Sequence, residues 1–277
     1  MIKNYFILTR PEQWVKNIIV FIPLIFSKKI QEIDSFFLLF STFVCLILAS
    51  SIIYIFNDIC DLEHDKKHPN KKNRPLANGS LKIKDACLLI ILLGLLLSAL
   101  LKFNISILGS VIFFITLNIF YSTYLKKIVI IDLIIVSLSY VIRVLAGTAA
   151  LNVQLSEWLA ICIFSVSLFL ISFKRLAETK ISGFKSRAVL KKYNIKFLNK
   201  IIDISGFCSI NFYTIYVITA NPNLIITVPL VFIGFFRYYL LYYTTKIFEE
   251  SPIKIIFSDK PIIALVAIWF VIVLILI

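Results

Sequence analysis

The chain is 277 residues long, 60% hydrophobic and only 16% charged, with a mean hydropathy of +0.95. Soluble domains are nearer half apolar and about a quarter charged, so a soluble globular fold is excluded and a polytopic membrane protein is expected. The formal net charge of +14 does not point to nucleic acid, because the basic residues alternate between loops.

Met1–Trp14 reads as an amphipathic start, with Phe6, Ile7 and Trp14 suited to the membrane interface. It lacks the short apolar core and small-residue cleavage site of a signal peptide. Apolar runs follow at 16–33, 36–57, 86–101, 105–122, 128–150, 157–173, 200–219, 224–243 and 261–277. Each is near the ~17–25 residues that span a bilayer. Open strands cannot cross lipid. The expected fold is therefore all-α, a polytopic membrane helical bundle of about nine transmembrane helices, making one integral-membrane domain over residues 1–277.

Loop charge orients the bundle. One side receives Lys3, Arg10 and Lys16, the basic run 66–84, Lys126 and Lys127, the basic run 174–200, and Lys246, Lys254 and Lys260. The other side receives Lys28, Lys29 and Lys102. The first side is expected to face the cytoplasm, as in a multi-pass protein of the cell inner membrane. The long loops near 58–85 and 174–200 lie on that side, which places the chemistry at the cytoplasmic mouth. Cys45, Cys60, Cys87, Cys162 and Cys208 are scattered and odd in number. They suggest buried packing rather than a disulfide framework or zinc site.

The second run ends in Asn57-Asp58-Ile59-Cys60-Asp61-Leu62-Glu63-His64-Asp65. On one continuous helix Asp58, Asp61 and Asp65 fall within an arc of roughly 60°. Like charges on one face repel, and carboxylate oxygens are what Mg²⁺ takes. The bland alternative is a solvated acidic loop. Against it, Asn57 and Asp58 still belong to the apolar run, where an ionisable residue is a functional candidate. Asp58, Asp61 and Asp65 are the expected metal ligands, and Asn57 supplies a carbonyl or orients one of them. His64 lies off that face and His68 precedes Pro69, so both read as loop histidines.

Cations at membrane depth come next. Arg143 lies inside run 128–150 and Arg237 inside 224–243. A buried arginine needs an anionic partner. For Arg143 a structural pair, with Asp132 or the acidic cluster, competes evenly with a substrate role; for Arg237 a phosphate contact is favoured. Lys174 and Arg175 end the sixth apolar run, with Glu178 on the Lys174 face. Arginine is suited to bidentate phosphate binding. Carboxylates with a metal, ringed by Lys and Arg, describe a diphosphate site. No Ser-His-Asp set or P-loop is visible. The expected reaction is displacement of a metal-bound diphosphate, with one lipidic substrate entering between helices.

The ordered set Arg10-Pro11-x-Gln13-Trp14-x-Lys16-Asn17, Tyr54-x-x-Asn57-Asp58-x-x-Asp61, His68-Pro69-x-Lys71-Lys72-x-Arg74-Pro75, Tyr121-Ser122-x-x-Leu125-Lys126, Asp132, Arg143-x-x-Ala146-Gly147, Ser156-x-Trp158, Lys174-Arg175-x-x-Glu178, Arg187 with Tyr193, Arg237-Tyr238 and Pro252…Asp259 resembles the UbiA superfamily of membrane prenyltransferases. Within it the set is closer to the polyprenyl-phosphate phosphoribosyltransferase branch. Ordinary aromatic prenyltransferases of the superfamily carry a second DxxxD motif. Here Lys174-Arg175-Leu176-Ala177-Glu178 stands in the corresponding place, with one carboxylate and two cations.

The resemblance implies Mg²⁺-dependent transfer of 5-phosphoribose from 5-phospho-α-D-ribose 1-diphosphate (PRPP) to a polyprenyl phosphate, for cell-envelope precursors. It implies phosphate contacts from Arg74, Lys126, Lys174, Arg175, Arg187 and Arg237, with Lys16, Arg143 and Tyr193 as further substrate-site residues. Glu178 would orient Lys174, bind ribose hydroxyls or meet a second metal. Two alternatives stay open. One is a prenyltransferase using a prenyl diphosphate and an aromatic or lipid acceptor; the other is a transporter with a divalent-cation site. Whether the chain forms a homo-oligomer is also open.

Overall fold

The computed structural model describes residues 2–67, 71–182, 193–244 and 258–277. Among them every regular element is helical. The chain forms two compact units, one of Met1–Lys126 with Ile142–Gln154, the other of Lys127–Val141 with Leu155–Ile277.

In the first unit, α1 (Ile2–Leu8) leads into a 3₁₀ stretch, Pro11–Phe21, and then the short α2 (Ile22–Phe26). A continuous spanning helix was expected over 16–33, and its absence has a local cause. Arg10 adopts a left-handed backbone, φ 54° and ψ 65°, immediately before Pro11. Pro23 then interrupts the amide ladder, since it lacks an N–H and crowds the preceding turn. Side-chain bonds also hold the stretch. Trp14 Nε1 donates to the Thr9 carbonyl at 3.3 Å and to Ser51 Oγ at 3.2 Å. Asn17 Nδ2 donates to Ser50 Oγ at 3.2 Å.

Helix α3, Ile33–Cys60, has 28 residues. At 1.5 Å per residue it is about 42 Å long, against a hydrocarbon core of about 30 Å. Its end therefore carries Asn57 and Asp58 toward a membrane surface. α4 (Leu62–Lys67), α5 (Ile83–Leu101) and α6 (Leu108–Thr123) follow. Leu39, Cys45, Leu46, Ala49, Val111 and Phe114 form the core with Val20 and Ala146. A second cluster of Leu8, Ile55, Leu76, Leu81 and Ala86 packs near the acidic end of α3.

Helix α7, Ile131–Leu151, gives residues up to Val141 to the second unit and those from Ile142 to the first. Gly147 lies against the 3₁₀ stretch so closely that a Cβ there would collide with the Val20 carbonyl oxygen. The second unit adds α8 (Glu157–Ser182), α9 (Ile195–Ala220), α10 (Val228–Thr244) and α11 (Lys260–Leu276). Its core is Leu133, Phe169, Phe173, Leu176, Leu198, Ile202 and Tyr238. Phe173 stands edge-on to Phe169, Tyr238 and Tyr242, with ring centroids 4.8, 5.2 and 4.7 Å apart.

Seven helical segments among the described residues are long and apolar enough to cross a membrane. α11 is apolar but has only 17 residues. The all-α membrane class stands as expected. The count differs from nine because the first run is 3₁₀ for much of its length and the last is short.

Candidate active site

The acidic stretch is broken where the sequence predicts one continuous face. α3 stops at Cys60, and Asp61 leaves the helix with φ −97° and ψ 4°. Its N–H still bonds the Asn57 carbonyl at 2.9 Å, and α4 starts afresh at Leu62. The break sends the aspartates to different partners. Asp58 and Asp65 are both buried, at 3% exposure, and share one guanidinium. Arg74 Nη1 donates to Asp58 Oδ1 at 3.0 Å and to Asp65 Oδ2 at 2.5 Å. Arg10 Nη2 also donates to Asp58 Oδ1, and the Arg10 guanidinium lies 5.2 Å from the Tyr54 ring centroid. Lys71 Nζ lies 3.9 Å from Asp65 Oδ1. Asp61 accepts from Lys126 Nζ at 2.5 Å and from Asn57 Nδ2 at 3.1 Å. Asn57 thus bonds directly to one of the three aspartates.

The three aspartates do not converge on one point. Among the described residues no group of three or more His, Cys, Asp or Glu is set around a single metal position. Asp61 lies past the end of α3, and each carboxylate is held by its own cationic partners. The donor chemistry nonetheless suits a hard cation. A positive nitrogen already bridges Asp58 and Asp65, and carboxylate oxygens are the ligands Mg²⁺ prefers.

Arg143, expected at membrane depth, is buried at 4% exposure. Its Nε donates to Asn17 Oδ1 at 2.8 Å, and its guanidinium lies over Phe114, 4.6 Å from the ring centroid. Arg143 thereby ties α7 to the 3₁₀ stretch, one helical turn from the Gly147 contact. Lys16, on that stretch, is half-buried.

The second unit holds a separate acid–base cluster. Asp132, in the first turn of α7, is wholly buried. It accepts from Arg175 Nε at 2.8 Å and from the Tyr193 hydroxyl. Arg175 Nη1 also donates to Glu178 Oε2 at 3.1 Å. This bond to Arg175 stands beside the three roles expected of Glu178. Lys174 is half-buried on the same helix. The Tyr193 hydroxyl in turn accepts from the Ile130 N–H at 2.8 Å. Burial, then the bond to Asp132, pushes the Tyr193 phenol above its ordinary value, so it stays protonated. Arg237 was expected to contact phosphate. Here Asp259 grips it in a fork, Nε–Oδ1 3.3 Å and Nη2–Oδ2 2.9 Å. Asp259 also caps α11 by accepting from the Ile262 N–H at 3.0 Å. Arg187 and His68 lie outside the described residues.

Two residues absent from the predicted site earn a place in these clusters. In the sequence Arg10 opens the first motif and adds to the cytoplasmic-side charge, with nothing local to point to Asp58. Asp132 is an ionisable group opening an apolar run, which marks a functional candidate.

Seven long apolar helices and carboxylates gripped by guanidinium and ammonium groups define an integral, multi-pass membrane protein with charged sites. Residues 20–254 match the UbiA prenyltransferase family, and the chain belongs to that family. It is accordingly a membrane transferase. Among curated relatives, the decaprenyl-phosphate phosphoribosyltransferase of Mycolicibacterium smegmatis is 33% identical over 217 residues, covering 75% of this chain and 68% of that one. The protein of the same name from Mycobacterium tuberculosis is 29% identical over 213 residues, covering 71% and 68%. Among solved structures, a UbiA homologue from Archaeoglobus fulgidus bound to DMAPP and Mg²⁺ shares the fold. Its TM-score is 0.75 at 16% identity, over 99% of this chain and 100% of that one.

Proposed function

We propose that the protein transfers 5-phosphoribose from PRPP to a polyprenyl phosphate, releasing diphosphate, at the cytoplasmic face of the cell inner membrane. The observation that carries this reading is the motif Lys174-Arg175…Glu178, where the aromatic prenyltransferases of the family carry a second acidic motif. Two cations there suit a substrate pair richer in phosphate than a prenyl diphosphate and a neutral acceptor. The names of the relatives point the same way, and the distribution of loop charge supports the orientation.

In this reading the bond from ribose C1 to the diphosphate oxygen breaks, and its electron pair leaves with diphosphate. A bond from C1 to an oxygen of the lipid phosphate forms. That oxygen is already ionised at neutral pH, so no strong base is required. The protein's part is positioning and electrostatics. Within the first unit, Asp58 and Asp65 would hold Mg²⁺ at the place Arg74 now bridges, with Asp61 beside them. When bound, the ion supplies Lewis-acid stabilisation and a template for the departing diphosphate. Arg74 and Lys126 would turn to the phosphates. Within the second unit, Lys174 and Arg175 are the phosphate-binding groups. Arg143 in the first unit and Tyr193 and Arg237 in the second are further substrate-site residues in this reading, held in place by Asn17, Asp132 and Asp259 as Arg175 is by Asp132 and Glu178.

The test is a membrane assay with labelled PRPP, polyprenyl phosphate and Mg²⁺. Lipid-linked label, lost on chelation, is expected. No label, or transfer from a prenyl diphosphate instead, would sink the reading. Asp58→Asn and Asp61→Asn should each abolish transfer while the protein stays folded in the membrane.

A further inference from the structure

We propose that Arg10 is a diphosphate ligand, parked on Asp58 until metal and diphosphate arrive together. The inference rests on the reading of this site as a metal–diphosphate site, and it adds a residue and a binding order that the reading does not contain.

Charge is the first argument. Asp58, Asp61 and Asp65 face Arg10, Lys71, Arg74 and Lys126. Four cations against three carboxylates leave one positive charge, and a divalent ion would raise it to three. A diphosphate ester carries about three negative charges near neutral pH, since terminal phosphates lose their last proton near pH 6. Metal alone is therefore opposed by the site's own cations, and metal with diphosphate is balanced.

Competition for one atom is the second. Arg10 Nη2 and Arg74 Nη1 both donate to Asp58 Oδ1. A metal ion on that oxygen must displace at least one guanidinium, and a displaced, partly buried cation needs a new anion. Arg10 is placed to take one. Its side chain is 19% exposed while Asp58 is 3% exposed, so Arg10 forms the solvent-facing side of the pair. The Tyr54 ring supports the guanidinium independently of Asp58. Third, Arg10 holds a left-handed backbone, φ 54°, which non-glycine residues rarely adopt. Such residues persist where the surroundings over-determine them, and they cluster at functional sites.

The experiment uses the full chain in nanodiscs, with Mn²⁺ as a spectroscopic probe and inorganic diphosphate as the anion. Free Mn²⁺ is followed by electron paramagnetic resonance, and diphosphate binding at saturating Mn²⁺ by calorimetry. Arg10→Gln should bind Mn²⁺ alone about tenfold more tightly, because a competing cation is gone. It should bind diphosphate at least about tenfold more weakly, the worth of a charge-assisted hydrogen bond. Effects of opposite sign separate a ligand from a scaffold residue, whose loss weakens both. Parallel weakening, or no change in either constant, overturns the proposal. Should Arg10→Gln fail to fold, Arg10→Lys serves: wild-type Mn²⁺ affinity with weaker diphosphate binding supports the proposal, and unchanged diphosphate binding overturns it. Failure of phosphoribose transfer in the wild type would refute the donor assignment alone.

Discussion

Asp132→Asn is the most searching single change in the second unit. It removes one negative charge from a buried pair, since Asp132 is wholly buried and Arg175 is 3% exposed. Removing one partner of a buried ion pair costs about 3–5 kcal/mol, because the other charge is left uncompensated. Two features reduce that here. Glu178 keeps its bond to Arg175 Nη1, and the asparagine carbonyl still accepts one hydrogen bond. The expected loss is therefore about 2–3 kcal/mol. At roughly 2–4 °C per kcal/mol for a chain of this size, Tm in detergent should fall by about 5–10 °C. Arg175→Met should cost a similar amount. The double variant Asp132→Leu with Arg175→Met should recover most of it, since apolar residues of like volume often replace a buried pair without loss. Tyr193→Phe should lose only about 1 kcal/mol, one hydrogen bond to a retained partner. A melting temperature for Asp132→Asn within about 1 °C of wild type would show that the pair is not buried, and the reasoning would fail.

Gly147→Ala places a methyl group against the Val20 carbonyl and should destabilise by about 1–3 kcal/mol; Gly234→Ala, where a Cβ meets open space, should be neutral or gain up to about 1 kcal/mol from helix propensity. Comparing the two by thermal unfolding checks the close approach at Gly147. The bond from Arg237 holds the Asp259 carboxyl below the usual carboxylate range. A lowered folded value stabilises above the unfolded pKa of about 3.9 and loses that contribution as pH falls through the folded value. The Tm gap between wild type and Asp259→Asn should thus be present at neutral pH and close in acid. A gap that widened on acidification would contradict the pairing.

How much of this was legible in the chain follows from sequence separation. The apolar run Phe36–Phe56 ending in Asn57-Asp58 announces a membrane helix with a charged tip, because hydropathy and local spacing are read within one element. The pairings are not local. Asp58 meets Arg74 16 residues on, Asp61 meets Lys126 65 residues on, and Asp132 meets Arg175 43 residues on. Periodicity within a helix carries no information about such partners. The partner that Arg237 needs cannot be named from its own helix, because Asp259 precedes the next one, 22 residues away. The break at Asp61 was hidden for another reason. Asp58, Asp61 and Asp65 satisfy helical spacing whether or not the helix continues, and nothing in that stretch is a glycine or proline. The 3₁₀ path of Pro11–Phe21 escaped notice because lipid selects for apolar side chains, not for the pitch of the backbone that bears them.

Helix α5 presents most of its surface outward, with Leu88, Ile91, Leu92, Leu95 and Leu96 all exposed and only 11% of its span buried within the chain. That face is chemically suited to the acyl chains of a bilayer. Exchanges among leucine, isoleucine and valine on that face alter almost no internal packing. The same property makes it a natural place for a fluorophore or spin label. A probe at Leu95 or Leu96 would sense lipid order and thickness while leaving the two charged clusters untouched.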